Sequence, residues 1–156
     1  MKKLTLVLTL VVSTLVSNAQ LQKLSIPKDT KIGELKVVGY YMADLKYWVS
    51  DINGDTTYTL TFRNAKFTSI DAFETIEFEG NTETINALYE LFNDAFKADD
   101  IKKYEQDITL GKYQLKIKGY KTMGIKGVQF YAVHPSGVIS YINPFTEGQL
   151  KNLFGK

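Results

Sequence analysis

Cysteine is absent from the 156 residues, and histidine and tryptophan occur once each. Without cysteine there can be no disulfide, no thiolate metal ligand and no lipid attached at an N-terminal cysteine. A single histidine, His134, rules out any multi-histidine zinc site. Excess charge is also missing. The formal charge of +2 rests on Lys2 and Lys3. Setting those two aside leaves 17 of the 19 basic residues against 17 acidic ones. A balanced chain offers no argument for nucleic acid as a partner. Aromatic residues, by contrast, are plentiful: ten Tyr and nine Phe. They favour a β-rich domain.

The first residues, MKKLTLVLTLVVSTLVSNAQ, join a basic start to an apolar run from Leu4 to Val16. Ser17-Asn18-Ala19 then places small residues before a cut after Ala19. The run is too short to span a bilayer easily, which takes about 20 apolar residues. Its Lys-Lys start and Asn-Ala-Gln ending resemble signal peptides of Gram-negative bacteria of the Bacteroidota type. The expectation is an exported protein, periplasmic or extracellular, with no stable membrane anchor after cleavage. Residues 1–19 form the signal peptide, 20–33 a polar lead-in and 34–156 a single domain. The mature chain of 137 residues (19 removed from 156) suits one hydrophobic core.

Asp51-Ile52-Asn53-Gly54-Asp55 begins like a calcium loop. Such a loop needs glycine at its sixth position and glutamate at its twelfth, and here these are Thr56 and Phe62. A two-residue Asn53-Gly54 hairpin turn explains more of the sequence. It sets Val49 against Tyr58, Tyr47 against Leu60 and Leu45 against Phe62. On the other face it sets Ser50 against Thr57, Trp48 against Thr59, Lys46 against Thr61 and Asp44 against Arg63. A second hairpin turns at Gly111-Lys112. It pairs Leu110 with Tyr113, Ile108 with Leu115, Asp107 with Lys116 and Glu105 with Lys118.

Upstream, ELKVVGYYMA reads as a strand with Gly39 as a bulge, and Phe73 to Gly80 as another strand. Asn81 or Thr82 caps a helix whose apolar face is Ile85, Leu88, Tyr89, Phe92 and Phe96. Downstream, GVQFYAV and VISYI are strands around a His134-Pro135-Ser136-Gly137 turn. Thr146 and Gln149 fit a capping box for a short C-terminal helix carrying Leu150, Leu153 and Phe154. The expected class is α+β, a mainly antiparallel sheet with two helices. One antiparallel sheet with helices on one face is the default arrangement; the order also allows two ββββα halves.

Motifs for chemistry are weak. GYKTMGIKG (119–127) lacks the Gly-Lys-Ser/Thr ending of a phosphate loop and reads as an irregular link between strands. His134 with Ser136 or another serine has only turn composition around it. Glu77 and Glu79 share a strand face about 7 Å apart, and such alternation is the ordinary outer face of a half-buried strand. Lys112, Lys116, Lys118, Lys121 and Lys126 read as a solvated strand face.

Trp48 stands out as a tryptophan on a polar sheet face, near Lys46, Thr59 and Thr61, where it could stack on a sugar or anchor a partner. The leading expectation is a non-catalytic, inhibitor-like binding module that uses this face to meet a protein or small-molecule partner, with no cofactor. A carrier of a small apolar ligand, lined by Tyr47, Tyr58, Phe62, Leu88 and Phe92, is the alternative. A carboxylate-based hydrolase ranks third.

Overall fold

The computed structural model describes residues 28–156. The signal segment and the first part of the lead-in lie outside the described residues. Four strands come first: β1 (Thr30–Val37), β2 (Tyr40–Val49), β3 (Thr56–Arg63) and β4 (Phe73–Glu79). They form an antiparallel sheet in the order β1-β2-β3-β4, and helix α1 (Thr82–Lys97) follows. A 3-10 turn at Ile101–Lys103 leads into β5 (Glu105–Leu110), β6 (Tyr113–Thr122), β7 (Ile125–Val133) and β8 (Ile139–Tyr141). These form a second antiparallel sheet in the order β5-β6-β7-β8, and helix α2 (Glu147–Leu153) ends the fold. The architecture is α+β, built of two ββββα halves.

The halves do not each keep their own helix. α1, which follows the first sheet, packs against β6 and β7 of the second. α2, which follows the second sheet, packs chiefly against β1 of the first. Gly33 in β1 makes that approach possible. A Cβ there would stand 2.1 Å from the Asn152 carbonyl oxygen and 2.5 Å from that of Leu153. Both helices start where local chemistry dictates. The Asn81 side chain accepts from the Thr84 amide at 3.0 Å, and the Thr84 hydroxyl in turn accepts from the Asn81 amide. Thr146 and Gln149 form the same reciprocal cap on α2.

The alternating apolar residues of both sheets and the apolar faces of both helices form one core. Four aromatic rings join its parts. Phe62 of β3 meets Phe130 of β7 at 4.8 Å between centroids, and Phe92 of α1 lies 5.9 Å from Phe130 and 6.1 Å from Phe154. Phe62, Phe92 and Phe130 are fully buried. Close packing of this kind is what holds a cysteine-free domain together.

A second joint is polar. The Ala65 amide donates to the Tyr141 carbonyl at 2.7 Å. Buried Asn64 accepts from the Lys66 amide at 3.1 Å and the Tyr141 amide at 3.5 Å, and its own amide donates to Glu74 at 3.3 Å. The loop after β3 is thereby tied to the edge of the second sheet.

The Gly111 hairpin has every expected pair. Only Gly111 has positive φ there (58°), which fits a II′ turn. The first hairpin differs. Its register is shifted by two, so that Tyr47 faces Tyr58, Leu45 faces Leu60 and Trp48 faces Thr57. A type I′ turn would need positive φ at Asn53 as well as Gly54, and only Gly54 has it. Asn53 instead turns its side chain onto the Asp55 amide (3.2 Å). The loop closes between Ser50 and Asp55, with the Ser50 amide donating to the Asp55 carbonyl at 2.9 Å. A shift of two keeps every side chain on its own face.

Two further stretches differ from expectation. ELKVVGYYMA is not one strand, because Val38-Gly39 is a tight turn with φ 48° and 82° between β1 and β2. Strand β1 itself starts at Thr30. GYKTMGIKG is likewise a regular hairpin that turns at Met123-Gly124 (φ 50° and 81°). In both turns glycine marks only the second position. Valine and methionine at the first give no turn signal, and strand pairing on either side overrides their preference.

Candidate functional site: the outer face of the first sheet

The outer face of the first sheet is arranged in rows across its strands. Trp48, Thr57 and Glu79 form one row, and Lys46, Thr59 and Glu77 the next. Asp44, Thr61 and Thr75 follow, and the Thr61 and Thr75 hydroxyls lie 3.1 Å apart. Trp48, Lys46, Thr59 and Thr61 therefore share one face. The direct neighbour of Trp48 is Thr57, while Thr59 stands beside Lys46 and diagonal to the indole.

Charge on this face is unevenly compensated. Lys46 bonds the Asp44 carboxylate at 2.9 Å. That carboxylate holds the lysine above its usual range, against the smaller opposing effect of burial. Asp44 is only 5% exposed, and its Oδ1 has no hydrogen-bond partner among the described residues. Burial, and then the Asp44 charge, pushes the Tyr41 hydroxyl up. Lys46 thus neutralises a buried acid, a structural task. Glu34 on β1 is held by Lys31 and by Lys36 (2.7 Å). On the opposite flank, Glu77 and Glu79 make no ion pair among the described residues and are exposed.

Trp48 is half-buried. Asp44 Oδ1 is the sole buried side-chain polar atom without a partner among the described residues, so the indole N–H is not sealed off. No hydrogen bond or ring contact engages Trp48 among the described residues. It lies as a flat apolar surface with an available donor, between threonine hydroxyls and two uncompensated carboxylates.

The other candidates are placed elsewhere. His134 Nε2 lies 2.8 Å from the Ser140 hydroxyl, not beside Ser136. Glu74 approaches the same ring nitrogen at 3.8 Å. A nucleophile relay needs serine and carboxylate on opposite ring nitrogens, with the serine open to substrate. Ser140 is 0% exposed. With Tyr113 packed edge-on to the ring at 5.4 Å, this cluster joins the two halves. Its sequence signal was faint, since Ser140 lies in a strand with nothing to mark it. Of the residues expected to line a ligand pocket, Phe62, Leu88 and Phe92 are filled core. Only Tyr47 and Tyr58 reach a surface cleft of about 460 Å³, shared with Ile32, Ile85, Phe154 and Lys156.

Comparison with protein-family models, with curated proteins and with solved structures returns no match to this chain.

Proposed function

We propose that the protein is an exported, non-catalytic binding module whose contact surface is the outer face of β2–β3–β4 around Trp48. One observation carries the reading. Both helices pack on the inner faces, and the only tryptophan stands half-buried on the polar outer face with no side-chain hydrogen bond or ring contact among the described residues. Tryptophan is among the residue types most enriched at interface hot spots. Thr57, Thr59 and Thr61 supply donors and acceptors, and Glu77 and Glu79 favour a partner with a cationic or polyhydroxyl surface.

The test is native mass spectrometry of the protein recovered from its producing cells, as wild type and as Trp48→Ala. The reading expects a stoichiometric partner that the substitution removes while the fold is retained. A partner retained at full occupancy by Trp48→Ala sinks it.

The carrier reading rests on the cleft beside Tyr47 and Tyr58. It expects an adduct of small mass that denaturation releases and that Trp48→Ala does not affect.

A further inference from the structure

We propose that the β6–β7 hairpin is a docking finger for a membrane surface bearing anionic lipid headgroups. This second surface lies in the other half of the molecule and does not depend on the Trp48 reading.

The finger has an apolar tip. Met123 is 98% exposed and Ile125 64%. Met123 holds φ at 50°, in the left-handed region that the first position of such a turn usually fills with Asn, Asp or Gly. The methionine side chain packs on nothing in return. Val38 holds the same conformation at an exposed turn in the first half, so the exposed methionine and isoleucine together with the lysines behind them, not the backbone conformation, mark this tip.

Behind the tip sits a basic collar. Lys121 and Lys126 are direct cross-strand partners, a like-charge pairing that opposes hairpin stability. Lys102, Lys103, Lys118 and Lys121 line one surface concavity of about 350 Å³, together with Tyr104 and Tyr120. Two of the nearby acids are already engaged, while Asp99 makes no ion pair among the described residues. Glu105 is held by Lys116 at 2.6 Å and by Lys118 at 3.0 Å, and Asp100 lies 3.8 Å from Lys103 while its side chain caps the Lys102 amide. Lys126 donates to the Phe96 carbonyl at the end of α1. Among the described residues, Lys102 and Lys121 have no carboxylate partner.

The spacing fits a bilayer surface. Met123 lies two residues beyond Lys121, about 7 Å along the strand. An apolar tip that far past a ring of lysines would enter the acyl boundary while the ammonium groups remain among headgroups. A convex finger with two apolar side chains offers far less area than a stable protein interface needs, about 1,200 Å² or more. A lipid surface conforms to it, and the lysines supply the charge complementarity.

The experiment is co-sedimentation of the chain from Gln20 onward with vesicles. One set is phosphatidylcholine alone, and the other contains about 30% phosphatidylglycerol. Binding to the anionic vesicles is expected, weakening as salt rises. Met123→Asn/Ile125→Thr keeps turn and strand preferences and should bind at least about tenfold more weakly. Lys102→Gln/Lys121→Gln tests the collar independently, and Trp48→Ala should bind as wild type. A melting curve for each variant shows that the fold survives. No binding to anionic vesicles, equal binding to neutral ones, or full binding by the tip variant would overturn the proposal. So would a tip substitution whose sole effect is to release a protein partner.

Discussion

Replacing Gly33 by alanine should break the docking of α2 on the first sheet. The new Cβ would stand 2.1 Å from Asn152 O, 2.5 Å from Leu153 O and 2.7 Å from Leu153 C. All three are backbone atoms, so no flexible side chain can swing aside. Reaching ordinary contact requires the end of α2 to move by more than about 1 Å, and overpacking of this sort costs about 1–3 kcal/mol. The cost rises further if the helix lets go, because Leu150, Leu153 and Phe154 are all buried beneath it. Each such side chain is worth about 1.5–3 kcal/mol of burial. Gly148 is the control within the same helix. A Cβ there meets nothing within 4 Å, so Gly148→Ala should stabilise by about 0.5–1 kcal/mol through helix propensity alone. Urea denaturation followed by circular dichroism reads both. With a slope of about 1–3 kcal/mol per molar urea, Gly33→Ala should lower the midpoint by roughly 1 M. The reasoning fails if Gly33→Ala leaves the midpoint where it was, or if Gly148→Ala lowers it as much.

Three other outcomes are expected. Val38→Asn places a residue suited to φ 48° at an exposed turn and should raise stability by about 1 kcal/mol, measured by thermal melting. Asn64→Ala removes acceptors from the Lys66 and Tyr141 amides and should cost about 1–3 kcal/mol. Hydrogen exchange should accelerate first at residues 64–66 and 141. Hydrogen bonds from Lys31 and Lys36 lower Glu34 to about 2 from an ordinary 4.5. The ionised form is the one the fold favours, so its contribution is present above pH 4.5 and is lost as pH falls from 4.5 towards 2. Glu34→Gln should flatten the melting temperature against pH in that window and lower it at pH 7, where the contribution is fully present, by an amount that solvent screening at this partly exposed site keeps small.

The legible parts of the fold were those in which pattern and turn chemistry agree. The second hairpin could be paired residue by residue because Gly111-Lys112 fixes a two-residue turn and charges oppose across it. Both helix caps were readable for the same reason. In the first hairpin, alternation fixed which face Trp48 occupies, but not its neighbour. A register slipped by two satisfies the apolar pattern equally well, and only the Asn53–Asp55 turn geometry decides between them. The turns at Val38 and Met123 were hidden because their first residues prefer strands or helices. The exchange of helices between halves was beyond reach. The apolar face of α2 says that it must be covered and not by what, and Gly33 looks like any other strand glycine until α2 lies on it. Likewise, His134 could be placed in a turn, but its bond to Ser140 depends on how β7 and β8 return beside each other.

Because Trp48 is the only tryptophan, its fluorescence reports on the proposed contact surface without labelling. Acrylamide quenching of the chain from Gln20 onward, free and then in the complex recovered from producing cells, is the most direct test of that assignment. The account predicts an indole that acrylamide reaches in the free protein and that the partner shields. An indole already shielded in the free chain, or equally quenched in both states, would contradict it.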